Sequence, residues 1–308
     1  MPYELENRLV IGVASSAMFD LGESDAIFRE HGEEEYRRYQ EKNVDNPLQP
    51  GVAFHFVRRL LSLNDLSDAT DPLVEVVLLS RNDPDTGLRV MKSIAHHGLG
   101  MTRAVFLQGR SPYRYIPAFN ISLFLSANRS DVVEAIGLGF PAGVVLDSKF
   151  DDDPQDQEVR IAFDFDGVIV DDESESVMQG KDLAAFHEHE AKNVMRPHNP
   201  GPLSEFLRKV NTIQSIELAK KRAEPAYSPR LRVSIVTARN APSHERALNT
   251  LKSWGVMVND GFFLGGVEKR RVLQVLRPHI FFDDQAGHLS GAATVVPSVH
   301  VPFGVTNI

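Results

Sequence analysis

Short apolar runs punctuate the chain from end to end, and between them apolar residues recur every three or four positions. The runs cover residues 10–13, 74–79, 105–107, 123–125 and 144–146, then 159–163, 233–236, 262–264, 280–282 and 294–296. Runs this short, apolar throughout and set between helical stretches, predict strands covered on both faces in a mainly parallel sheet. Leu88, Met91 and Ile94 recur at helical spacing, as do Leu248, Leu251 and Trp254, and Gly98 and Gly255 follow where helix C-terminal caps are expected.

The two sets of runs lie on each other. A shift of 150 positions sets Ile11 on Ile161, Glu23-Ser24 on Glu173-Ser174, Lys42-Asn43-Val44 on Lys192-Asn193-Val194, and Pro50-Gly51 on Pro200-Gly201. From about residue 76 the shift becomes 157, and Ser80 falls on Thr237, Gly98 on Gly255, Gly109 on Gly266 and Phe124 on Phe281. Self-similarity over this length predicts two copies of one α/β unit, residues 1–150 and 151–308, joined near the acidic stretch 151–156. Residues 176–221 are mostly helical in pattern and sit between the second copy's first two strands, which suits a cap at about 175–230. The charged stretch 33–39 reads as a solvated helix face.

Composition narrows the classes. Of 308 residues 42% are apolar, ample for buried cores, and the net charge of -9 argues against a nucleic-acid surface. With no cysteine there is no disulfide, zinc–thiolate site or cysteine nucleophile. Residues 1–8 are acidic and make a poor signal peptide, and no apolar run reaches membrane-spanning length. The expectation is a soluble, cytoplasmic protein.

Chemistry concentrates in the second copy. The run ending at Phe163 leads into Asp164-Phe165-Asp166-Gly167. Two carboxylates so close repel, so a cation or a reaction would have to use them, although DxDG also occurs in calcium loops and ordinary turns. Further on come a strand ending at Thr237, Gly265-Gly266-Val267-Glu268-Lys269 opening a helix, and a strand ending in Asp283-Asp284. In this order the four resemble the motifs of the haloacid dehalogenase (HAD) phosphohydrolases, whose units are Rossmann-like. The resemblance implies that Asp164 is a nucleophile forming an aspartyl-phosphate and that Asp166 protonates the leaving group and then activates water. It implies that Thr237 and Lys269 hold the phosphoryl oxygens. It also implies Mg²⁺ held by Asp164, the main-chain carbonyl of Asp166, and Asp283 or Asp284. In the first copy the aligned residues are Ala14, Ser16, Ser80, Pro112, Ser126 and Ala127, which cannot run that reaction.

Stretches of the first copy extend the resemblance. Ala14-Ser15-Ser16-Ala17-Met18-Phe19-Asp20, Ser80-Arg81-Asn82-Asp83-Pro84-Asp85 and Gly109-Arg110-Ser111-Pro112-Tyr113-Arg114-Tyr115, together with the catalytic motifs, look like the cytosolic type I 5'-nucleotidase family across nearly the whole chain. That implies Mg²⁺-dependent hydrolysis of nucleoside 5'-monophosphates, AMP-like ones among them. Ser16-Ala17 departs from the Ser-Arg expected there. Ser80, Arg81, Asn82, Asp83, Arg110, Tyr113, Arg114 and Arg239 are the candidate substrate contacts, set against a reading as simple turn chemistry. A phosphatase for another small ester such as a sugar phosphate, and a nucleotide-binding regulator with little turnover, are the competing readings. A homo-oligomer joined through the first copy is an open possibility. The histidines of His187-Glu188-His189-Glu190, two apart, diverge on a helix and make a weak metal motif.

Overall fold

The computed structural model describes residues 4–148 and 151–307. The chain forms two compact units that meet in sequence between Val145 and Leu146. The boundary expected at 150 falls beside Lys149 and Phe150, outside the described residues.

In the first unit, strands β1 (Leu9–Val13), β2 (Val74–Ser80), β3 (Arg103–Phe106), β4 (Leu123–Ser126) and β5 (Ala142–Val145) pair in the order β3-β2-β1-β4-β5. In the second, β6 (Val159–Phe163), β7 (Leu231–Thr237), β8 (Asp260–Phe263), β9 (Ile280–Asp283) and β10 (Ser298–His300) pair as β8-β7-β6-β9-β10. The pairings within each unit are parallel. Counted within its own unit, each strand takes the same place, and β1 to β4 precede β6 to β9 by the shifts of 150 and 157 read from the sequence. This is a mixed α/β, Rossmann-like arrangement in which the first strand of each unit lies between its second and its fourth. The order in which strands are added reverses at that strand, opening a crevice at the carboxyl ends.

Helices cover the strands because apolar residues face both ways. In the second unit Phe163 stacks on Phe282 with ring centroids 5.2 Å apart, and Phe206 of the helix Ser204–Ala223 lies 5.9 Å from each. On the other face Ala162, Val236 and Phe281 pack with Leu273, Leu289 and Val296. Of the stretch 175–230, the helices Glu173–Gly180 and Leu183–Lys192 line the crevice through Glu175, Met178, Leu183 and Phe186, whereas Ser204–Ala223 lies on the sheet.

Two expectations shift. Residues 294–296 are turn rather than strand: Val295 and Val296 donate back to the Ala292 carbonyl and close the helix Ala286–Ala292, and pairing starts at Ser298, after Pro297. The helices Pro84–His96 and His244–Ser253 do end at Gly98 and Gly255, both at positive φ (65° and 66°). Their buried faces share Ile94 and Leu251 with those stripes but turn away from their starts: Arg89, Val90, Ser93 and Ile94 are buried in one, Arg246, Ala247, Thr250 and Leu251 in the other, while Leu88 and Leu248 are exposed. A buried arginine on each helix sets this phase, because each reaches backbone and side-chain acceptors within its unit.

Candidate active site

Strand register brings the second unit's motifs together. Phe163 pairs with Ile235 on one side and Phe282 on the other, so the next residue, Asp164, emerges between the tips of β7 and β9. Its amide donates to the Phe282 carbonyl at 2.7 Å, and one carboxylate oxygen accepts from the Phe165 amide at 2.7 Å. Thr237 and Asp283 end the flanking strands. Lys269, the first residue of the helix Lys269–Leu276, places its ammonium 2.8 Å from Asp164 Oδ2 and 2.7 Å from Asp283 Oδ2. All three side chains are at most 5% exposed.

Gly167 allows the turn. Its φ is +68°, and a Cβ there would lie 2.6 Å from an Asp284 carboxylate oxygen, so a side chain is excluded by conformation and by space. Asp284 is thereby held beneath the loop that carries Asp166.

The ionisation of the cluster follows from burial and proximity. Burial pushes the Asp164 carboxyl up to about 6, with Lys269 opposing and Asp283 adding to the rise. Burial also lifts Asp283, but Lys269 and His288 outweigh it and hold the carboxyl below its ordinary range. Lys269 loses solvation, yet the two carboxylates keep it firmly protonated. Carboxylate oxygens of Asp164 and Asp283 and a ring nitrogen of His288 lie within 4.8 Å of one another, so His288 joins the expected acidic residues at the place where a cation would sit.

Asp166 is held from the side. Both its oxygens accept from Arg239, from Nε and from an Nη, each at 2.6 Å. Arg239 is 3% exposed, lies over the rings of Phe165 and Phe186 at 5.1 and 5.3 Å, and also donates to Glu190 and to the Ser243 carbonyl. Burial opposes its charge, and Asp166 and Glu190 more than restore it. Arg239, read from sequence as a substrate contact, thus spends its donors inside the protein. A crevice of about 210 Å³ opens above Asp164, Asp166 and Thr237.

The other seven candidate contacts sit in the first unit. Ser80 is buried and accepts from the Asn82 amide at 3.1 Å. Asp83 caps the helix Pro84–His96 by accepting from the Thr86 amide and pairs with Arg37. Arg81 pairs with Glu134 and Asp131 and lies over the ring of buried Tyr113. Arg110 and Arg114 are exposed. Arg81, Asn82 and Asp83 line a separate crevice of about 260 Å³ with Phe28, Tyr36 and Arg37.

Sequence reasoning missed His288 and, beyond it, Glu190, His198 and Arg246. Glu190 is fully buried and accepts from Arg246 and Ser174, with His198 3.4 Å away. The detectable signal was the helical spacing of Leu183, Phe186 and Glu190, which puts the carboxylate on the crevice-lining face.

The 5'-nucleotidase family model matches residues 1–308. The chain belongs to the 5'-nucleotidase family. It is also 34% identical over 296 residues to cytosolic 5'-nucleotidase 1B of Homo sapiens, covering 94% of this chain. The chain spans about half the length of that relative, 48%. Among the described residues no helix is long and apolar enough to cross a membrane.

Proposed function

We propose that the chain hydrolyses nucleoside 5'-monophosphates to nucleoside and phosphate, in the cytoplasm as its relative's name suggests, through an aspartyl-phosphate on Asp164. The observation that carries this reading is the Lys269 ammonium set between Asp164 and Asp283 at adjoining strand tips, in a chain of this family. The matching strand order of the two units supports tandem HAD-like units, the second catalytic and capped by the helices Glu173–Gly180 and Leu183–Lys192.

An Asp164 carboxylate oxygen attacks phosphorus and the bond to the 5' oxygen breaks. The departing alkoxide takes its proton from Asp166. Water then gives a proton to Asp166 and attacks the same phosphorus. The acyl-phosphate bond breaks, and phosphate leaves with Asp164 regenerated. Thr237 and Lys269 hold and neutralise the phosphoryl oxygens through both steps.

The donors fit a hard divalent cation. Asp164, Asp166, Asp283 and Asp284 bring four carboxylates together, three of them in contact with Lys269 or Arg239 and Asp283 also beside His288, so the place is rich in carboxylate oxygens and largely buried. Asp164, the main-chain carbonyl of Asp166, and Asp283 or Asp284 would hold Mg²⁺, which when bound offsets phosphoryl charge.

The test is phosphate release from a panel of nucleoside monophosphates and sugar phosphates, with Mg²⁺ or EDTA, for the wild type and Asp164→Asn. Selective turnover of 5'-nucleotides that disappears in the variant and in EDTA is expected. Turnover of sugar phosphates would keep the chemistry and discard the substrate. Tight nucleotide binding without turnover would replace the enzyme with a regulator.

A further inference from the structure

Glu190 lies on the crevice-lining helix Leu183–Lys192 and does not line the crevice itself. It is 1% exposed, yet it gathers two arginines, a serine and two histidines, His189 and His198, around one carboxylate. One of those arginines, Arg239, grips both oxygens of Asp166. A chain of charge contacts therefore runs from the helix to the carboxylate proposed as proton donor, with Phe186 of the same helix packed on the guanidinium.

The first unit supplies a control within the molecule. At the shifts of 150 and 157, Glu190, Arg239, Asp166, Arg246, His198 and Thr250 correspond to Gln40, Asn82, Ser16, Arg89, Leu48 and Ser93. The framework bonds are the same in both. Arg89 Nε donates to the Asn46 carbonyl, as Arg246 Nε does to that of Arg196. The Leu48 amide donates to Ser93 Oγ, as the His198 amide does to Thr250 Oγ1. Arg89 also reaches Gln40 as Arg246 reaches Glu190. What differs is charge: Glu190, Arg239 and Asp166 give way together to Gln40, Asn82 and Ser16. The unit folds with the neutral set, so the charged set has no necessary part in this packing. Burying three charges is costly, and they occur where the reactive carboxylate is.

We propose that Glu190 is a positioning residue for the reaction, acting through Arg239 to aim the Asp166 carboxylate at the leaving oxygen. The inference rests on the reading of Asp164 and Asp166 given above. Glu190 fixes two guanidinium groups at once, and Arg239, clamped between two rings and the Ser243 carbonyl, leaves Asp166 a single orientation.

Glu190→Gln, which copies the first unit, separates aim from stability. The protein with Mg²⁺ is assayed on a nucleoside monophosphate, whose alkoxide needs the proton, and on p-nitrophenyl phosphate, whose nitrophenolate leaves without one. The expected result is kcat on the nucleotide lowered about 10²-fold with KM within threefold, and an unchanged pre-steady-state burst of nitrophenolate. In an Asp166→Asn background the same substitution is expected to cost nothing more. Should Glu190→Gln fold poorly, Glu190→Gln with Arg239→Asn gives the same readouts, since the first unit packs that pair. A nitrophenolate burst slowed as much as nucleotide turnover, or additive losses with Asp166→Asn, overturns the inference while an inactive Asp164→Asn leaves the proposed function standing. An Asp164→Asn variant that still turns over overturns both.

Discussion

Lys269→Met removes the cation between Asp164 and Asp283 while keeping a long side chain against the ring of Phe281, 5.8 Å from the ammonium. Each contact, at 2.7–2.8 Å, has a gross attraction of about 6 kcal/mol at an effective dielectric near 20. Desolvation of a 3% exposed lysine offsets much of that, and removing one partner of such a buried set costs about 3–5 kcal/mol net. At about 2–4 °C per kcal/mol for a unit of this size, the second unit's melting temperature at pH 7 falls by about 6–20 °C. The sign with pH is fixed. Without Lys269 the facing carboxylates bind a proton more tightly folded than unfolded, so the deficit shrinks on acidification and grows as pH rises from about 4. Mg²⁺ at pH 7 restores part of the loss, and kcat/KM stays at least 10²-fold below wild type. Calorimetry from pH 4 to 8, with Mg²⁺ or EDTA, reads all of this. A melting temperature within 2 °C of wild type that does not move with pH would refute the buried charge cluster.

Three further outcomes follow from particular contacts. A Cβ on Gly201 would lie 2.2 Å from the Val170 carbonyl oxygen, whereas on Gly51, the equivalent residue, the closest backbone atom is at 2.9 Å; Gly201→Ala should therefore lower the denaturation midpoint more than Gly51→Ala, and the reverse order would contradict the geometry. Asp164 keeps its proton up to about pH 6 when folded but only to 3.8 when unfolded, so the stability of metal-free wild type relative to Asp164→Asn should fall as pH rises from about 4 to about 6, and urea titrations in EDTA would show it. Thr237→Val, at a 1% exposed strand end, should lower kcat/KM about 10²-fold with the circular dichroism spectrum unchanged; a loss under threefold would remove Thr237 from the phosphoryl site.

Most of the architecture was legible because buried parallel strands are continuous apolar runs, and four in each half kept their spacing. The carboxylates at strand tips were legible for the opposite reason: Asp164 and Asp283 interrupt apolar runs where a loop would carry turn residues. Helix faces were less so. Arg89 and Arg246 look like solvent residues in sequence, and only the acceptors brought to them by folding, among them Gln40 and Glu190, make their burial tolerable. Glu190 was hidden in the same way, inside a run of histidines and glutamates whose neighbour Glu188 is a surface residue paired with Lys192. The partners of Arg239 could not be read at all, because Asp166 and Glu190 lie 73 and 49 residues away in the chain.

The first unit carries the same strand order with other residues at these positions. Where the second unit has Asp164, Lys269 and Asp283, the first has Ala14, Pro112 and Ser126. Ser126 donates to Asp131 at 2.9 Å, with Ser16 Oγ 3.4 Å from Ser126 Oγ and Arg81 beside Asp131. Two hydroxyls and Asp131 thus stand in contact at these strand ends, and Arg81 faces both Asp131 and Glu134. The carboxylate cluster of the second unit is therefore no by-product of topology. Asp164, Asp166, Asp283 and Asp284 repel one another in a place that excludes most water, which selection for stability alone would remove. Under the function proposed above, their presence follows from what would enter: a cation to balance them and a phosphoryl group for Asp164 to attack.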